Sequence, residues 1–244
     1  MTQQSMPLSG AQAGIWFAQR LDPGNPVYNA ADRIDIHGPL RVDTFERALE
    51  RCLAEAEPLR LRFTDEPAQY LPEYDSLRGC LTVVDLRGEP DPETAAREWM
   101  AADLRTPVDV VTGRLSRHAL LRLTGEHHVW YLRAHHILID AYALSMLVSR
   151  TAGIYTALAD GLTPGAGPFG SMAPVLAEEE AYRASGRYAR DRAYWLDRLG
   201  GAPAPAGLRR RGSACSLCGS PRPHAFLLPR APSRPPVSTA RRAC

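Results

Sequence analysis

The sharpest constraint on what this chain can fold into lies near its end. From Gly207 to Cys244 there are eight Arg and no Asp or Glu. The stretch is rich in Pro, Ser and Cys, and it shows no apolar periodicity and no helix-capping pattern. Such a segment cannot bury enough apolar surface to offset the entropy of ordering it. A folded body is therefore expected over residues 1–206, with 207–244 a disordered tail. All 29 basic residues of the chain are Arg, which points to a GC-rich gene. An Arg/Pro/Ser/Cys-rich stretch is what such a message yields when translated out of frame, and the tail is read that way.

Setting the tail aside leaves 21 Arg against 27 acids in the body, a balance of −6. A uniformly basic nucleic-acid binder has no such split, and Arg209, Arg210 and Arg211 lack interleaved aromatics. No apolar run is long enough to span a bilayer. Met1 to Ser9 has neither the basic nor the apolar region of a secretory leader. No nucleic-acid or membrane partner is expected, and the location is expected to be cytoplasmic. Cys52 and Cys80 stand alone and read as buried small hydrophobes. Cys215 and Cys218, with His224 and Cys244 downstream, fit no established zinc spacing, so no metal is expected.

The body alternates helix and strand signals. Ser9 and Gln12 form a capping box for a helix to about Leu21, ended by Asp22-Pro-Gly-Asn-Pro26. Ile34 and Ile36 mark a strand that stops at Gly38. Phe45, Ala48, Leu49, Cys52, Leu53 and Ala56 form one apolar stripe on a helix over 43–56, with Asp43 as its cap. Leu59, Leu61 and Phe63 alternate with arginines as a half-buried strand would. Cys80 to Asp85 is another strand, and Asp91-Pro92 opens a helix to Leu104. Leu115–Thr124 and Val129–Ala134 read as two strands joined across Gly125-Glu-His127-His128, with that histidine pair solvated in the turn. A long helix follows from Asp140 to about Asp160, then helices over 173–184 and 187–199. The class is α/β or α+β with a mixed sheet.

The chemistry concentrates at His135-His136-Ile-Leu-Ile-Asp140. A strand delivers two histidines to a loop, and a helix starts at the aspartate. Rigid elements on both sides hold a side chain placed there. An imidazole with a pKa near 6.5 can take and return a proton around neutral pH. Only one of two adjacent rings can point at a given site, which leaves the other to brace it. Adjacent histidines are poorly placed to share one metal ion. Read alone, the same residues also fit an ordinary polar loop with Asp140 as a helix cap.

His135-His136-x-x-x-Asp140 resembles the H-H-x-x-x-D-G motif of condensation domains of nonribosomal peptide synthetases. Three other segments resemble the same family in the same order. Pro7 to Trp16 is similar to its S-x-A-Q-x-x-x-W opening. Glu57-Pro-Leu59-Arg60-Leu-Arg62-Phe63 is similar to its E-x-L-R-x-x-F segment, which makes Arg60 a supporting candidate. Tyr188 to Leu196 is similar to its following Tyr/Trp helix. The opening is nearest to stand-alone or first-position domains of siderophore-type synthetases.

The resemblance implies a chloramphenicol-acetyltransferase-like fold of two lobes with the motif loop in the channel between them. It implies amide formation between a carrier-bound acyl thioester and an acceptor amine. His136 would orient the amine or take its proton, and His135 and Asp140 would be structural, the aspartate held by an arginine often drawn from the second lobe. The phosphopantetheine arm would come from partner carrier proteins, with no cofactor bound by this chain. Ala141 stands where the motif has glycine, so a narrowed channel or a shifted loop is expected wherever that glycine's freedom is used. Nothing after Leu199 resembles the family's later motifs. The second lobe is therefore expected to be missing and the chain inactive alone, the alternative being a non-catalytic remnant or carrier-binding module.

Overall fold

A computed structural model of the chain describes residues 5–72 and 79–201. The tail over 207–244 lies outside the described residues. The chain runs β1 (Ser5–Pro7), α1 (Gly10–Leu21), β2 (Asn29–His37), α2 (Val42–Glu55), β3 (Arg62–Phe63), β4 (Ala68–Tyr70) and β5 (Leu81–Asp85). It continues through α3 (Pro92–Leu104), β6 (Ser116–Arg122), β7 (His127–His135), α4 (Ala141–Ala159), α5 (Met172–Arg183) and α6 (Gly186–Leu199).

The main sheet has the order β2-β7-β6-β5, antiparallel except for the β5–β6 pair. Parallel neighbours need a crossover, and α3 supplies it. The centre of the fold is β7, which is buried along all but its first residue. Trp130, Leu132 and Ala134 point to one face, with Phe45 and Leu49 of α2 and Leu144 and Leu147 of α4. Phe45 meets Trp130 edge-on with ring centroids 5.2 Å apart. Val129 and Tyr131 point to the other face, which α3 covers, and Trp99 meets Tyr131 edge-on at 5.6 Å. A short sheet, β1-β4-β3, flanks the main one.

The α3 face has a charged centre. Asp103, buried near the end of α3, accepts from Arg133 Nε at 2.7 Å, Arg117 Nη1 at 2.7 Å and the Tyr131 hydroxyl at 3.0 Å. Burial and the adjacent carboxylate push the Tyr131 hydroxyl pKa well up. On the other side, Glu55 of α2 and Arg150 of α4 form a bidentate pair at 2.7 and 2.8 Å.

Several expectations need correction. The cap of α2 is Arg41, without a side-chain hydrogen bond, because the helix begins one residue earlier than expected. Asp43 sits in the first turn, where its charge suits the helix dipole. Residues 57–60 form a 3-10 turn and only Arg62–Phe63 is strand. Pro58 explains this, since it has no N–H and its fixed φ suits a first turn. Leu59, Leu61 and Phe63 are all buried nonetheless. His127 and His128 are not turn residues: both lie in β7, and His128 is buried. Cys52 is buried, and desolvation pushes its thiol pKa up to about 11. Gly161, at φ +72°, closes α4 in the left-handed conformation that glycine adopts most easily.

No helix among the described residues is long and apolar enough to cross a membrane. Helices α5 and α6 contain no buried residue. Tyr188, Tyr194, Trp195, Leu196 and Leu199 of α6 are all exposed.

Two stability outcomes are expected. Asp103→Ala strands the Arg133 guanidinium in the core and should cost about 3–5 kcal/mol in urea unfolding. His118 is fully buried on the Trp130 face, and among the described residues neither ring nitrogen has a hydrogen-bond partner. Burial lowers its pKa to about 4. The folded state favours the neutral ring, so its contribution is complete above the ordinary value of 6.5 and is lost as pH falls toward 4. Stability should drop across that window, and His118→Leu should flatten the drop in melts taken from pH 7 to 4.

Candidate active site

The candidate site is the loop between β7 and α4. Three backbone bonds fix its entry. His135 N–H donates to the Leu115 carbonyl at 2.8 Å, His136 N–H to the Tyr28 carbonyl at 2.8 Å, and Leu138 N–H to the His135 carbonyl at 2.9 Å. The exit is fixed by Asp140, whose Oδ1 accepts from Ala143 N–H at 2.8 Å as the N-cap of α4. Between them Ile137, Leu138 and Ile139 are buried and anchor the loop to the core.

The two histidines have opposite environments. His135 is 1% exposed. Its Nδ1 accepts from Ile137 N–H at 3.2 Å, and its Nε2 lies 3.2 Å from Gln19 Oε1. Gln19 turns its amide NH2 to the carbonyls of Asp22 at 3.0 Å and Asn25 at 3.1 Å. Its oxygen can only accept, so His135 carries its hydrogen on Nε2 and is neutral. Burial, then His136 and Arg133 nearby, lower its pKa to about 4. Both nitrogens of this ring are engaged.

His136 is exposed. Its Nδ1 lies 3.1 Å from the Ile139 carbonyl, which can only accept. The hydrogen of the neutral ring therefore sits on Nδ1, and Nε2 keeps a lone pair with no partner among the described residues. A tautomer fixed by a backbone carbonyl on one nitrogen, with the other free to accept, is what a proton acceptor needs.

The remaining candidates are placed as follows. Asp140 is exposed and caps α4, and among the described residues no arginine pairs with it. Ala141 is exposed and is the first residue of α4, in ordinary helical conformation. A helical backbone there needs no glycine. Arg60 ends the 3-10 turn; its Nε is buried without a partner, and no hydrogen bond or ion pair joins it to the loop among the described residues.

Helix α1 braces the loop, and of its buried residues only Gln19 lies outside the capping and opening motifs. Gln12, Trp16 and Gln19 are its buried residues, spaced four and three apart on one face. Gln12 Nε2 donates to Gln69 Oε1 at 2.9 Å and reaches the Ile137 carbonyl at 3.4 Å. Two amides on one stripe thus brace the loop from α1. The signal was present, since a glutamine two turns after Gln12 must share its face.

Residues 2–212 match the family model described as Condensation domain. The chain is 43% identical over 212 residues to a dimodular nonribosomal peptide synthase of Bacillus subtilis (strain 168), covering 86% of this chain and 9% of that protein. It is 43% identical over 207 residues to an isonitrile lipopeptide synthase of Streptomyces coeruleorubidus, covering 82% and 14%. Its fold is similar to a variant of the starter condensation domain of the rhizomide synthetase RzmA in complex with C8-CoA. That match has a TM-score of 0.78 and 37% identity, and covers 86% of this chain and 49% of the other. The chain therefore spans about half the length of that solved domain and a small part of the synthetases. The strand-borne histidine pair, the lobe built around it and these matches together place the chain in the condensation-domain family of nonribosomal peptide synthetases.

Proposed function

We propose that this chain supplies the histidine-bearing lobe of an amide-forming acyltransferase that joins a carrier-bound acyl thioester to an acceptor amine. The observation that carries this reading is the exposed His136, with Nδ1–H held by the Ile139 carbonyl and Nε2 free. The amine nitrogen attacks the thioester carbonyl carbon. His136 Nε2 accepts a hydrogen bond from that amine, orients it and takes its proton as the C–N bond forms. The C–S bond then breaks, and the proton passes to the leaving thiolate. A thioester is already activated, so positioning supplies much of the rate. Carrier-protein domains are the proposed partners, each bringing its own phosphopantetheine arm, and a cytoplasmic setting suits such partners. The C8-CoA bound by the RzmA domain suggests a fatty acyl group as one donor class.

On its own the lobe is proposed to bind a carrier without transferring the acyl group. Its match reaches 49% of a solved condensation domain, and the His136 ring opens to solvent. Water around the ring lets neither arm be held against the other. The exposed aromatic side of α6 supports the same reading, since it needs a partner to cover it.

The test is carrier-to-carrier transfer, read by mass spectrometry of the acceptor arm. The 244-residue chain should give no amide, and a domain completed with a complementary second half should give it readily. In the completed domain His136→Ala should remove most transfer with an unchanged melting temperature, because the ring is exposed. Gln19→Ala should instead cost about 1–3 kcal/mol of stability, by stripping a partner from the buried His135 and two part-buried hydrogen bonds to the Asp22 and Asn25 carbonyls. Amide made by the lone chain at the completed domain's rate, or full transfer by His136→Ala, would refute the reading.

A further inference from the structure

A second cluster of ligand-type side chains lies at the opposite end of β7, outside the site described above. His37 of β2 stands directly across from His127 of β7 in the antiparallel register. Their rings stack with centroids 4.4 Å apart. Asp35, two residues before His37, shares its face of the strand. His127 Nε2 lies 2.8 Å from Asp35 Oδ1. One ligand atom from each of the three residues lies within 4.8 Å of the others, and all three are at least partly exposed.

We propose that Asp35, His37 and His127 form a zinc site that clasps the far end of the β2–β7 pair. Two imidazoles and one carboxylate leave a fourth position for water, a set that suits tetrahedral Zn²⁺ and not Mg²⁺ or Ca²⁺. Zinc–nitrogen and zinc–oxygen bonds near 2.0–2.2 Å place donor atoms about 3.3 Å apart in a tetrahedron. The His127–Asp35 contact therefore opens by about half an ångström, and the ion takes the place of the bridging hydrogen. Asp35 Oδ1 only accepts, so the neutral His127 ring carries its hydrogen on Nε2, and that hydrogen moves to Nδ1 through solvent as the ion binds.

The carboxylate is already oriented. Arg33 Nε donates to Asp35 Oδ2 at 3.0 Å and Arg33 Nη2 to Oδ1 at 2.8 Å. Glu93 of α3 in turn holds Arg33 Nη2 at 2.9 Å. An outer shell that fixes a ligating carboxylate strengthens a metal site, and Glu93 offsets the charge of Arg33 beside the ion. His128 is buried in the adjacent strand position and takes no part. The clasp lies roughly 26 Å along β7 from His135, at 3.3 Å per residue, so it would pin the register of the ladder and not touch the reacting groups.

The test uses the full chain with Cys215→Ser, Cys218→Ser and Cys244→Ser in every arm, because free thiols bind zinc on their own account. Calorimetric titration with ZnCl2 should show one saturable site, matched by a rise in melting temperature, and MgCl2 should show neither. His37→Ala and His127→Ala should each weaken zinc binding by at least about tenfold and abolish the rise, on a scale set by the loss of far weaker outer-shell contacts. His37→Gln provides a second removal of the ligand should either alanine variant fold poorly. Absence of saturable zinc binding, or binding unchanged in the folded ligand variants, would overturn the proposal.

Discussion

Strand β7 is packed on both faces, and most of the lobe is arranged around that fact. Its even-numbered side chains meet α2 and α4 through Trp130, and its odd-numbered ones meet α3 through Tyr131. A strand enclosed in this way has one register, because a slip of one residue would send Arg133 into the Trp130 face and Trp130 against Asp103. The buried Asp103 reinforces the choice by accepting from Arg133 and Tyr131 of β7 and Arg117 of β6. The end of such a strand is a fixed point, and that is where the histidine pair leaves it.

Chain direction and hydrogen bonding then divide the pair. The alternation of a strand sends His135 inward, where Gln19 and the Ile137 amide hold it neutral. His136 turns outward as the strand ends, and the Ile139 carbonyl fixes its hydrogen on Nδ1. Two identical side chains acquire different environments because the backbone offers one of them a core and the other a surface. Asp140 completes the loop from the far side by starting α4, so its first role is local and it needs no charge partner to perform it.

Much of this was legible in the sequence for identifiable reasons. The Ser9–Gln12 capping box, the α2 stripe and the Asp140 cap are local patterns, and all three occur in the structure. The histidine motif named its own loop. What escaped was non-local. The short strands β1 and β4 are defined only by pairing with each other and with β3. His127 looked like a turn residue because nothing in its neighbourhood reveals that His37 faces it across the sheet. Gln19 carries no local signal of its role, since its partners lie in the following turn and on β7. Leu59, Leu61 and Phe63 alternate as a strand would, while Pro58 holds the first part of that segment in a 3-10 turn.

One strand end sets two neighbouring histidines in opposite tautomers, leaving a single free lone pair on His136 Nε2. Long-range ¹H–¹⁵N imidazole spectra of the folded chain at pH 7.5 measure this directly. His135 is expected with its hydrogen on Nε2 and His136, in its neutral form, with its hydrogen on Nδ1. A neutral His136 with hydrogen on Nε2 and a bare Nδ1 would contradict it.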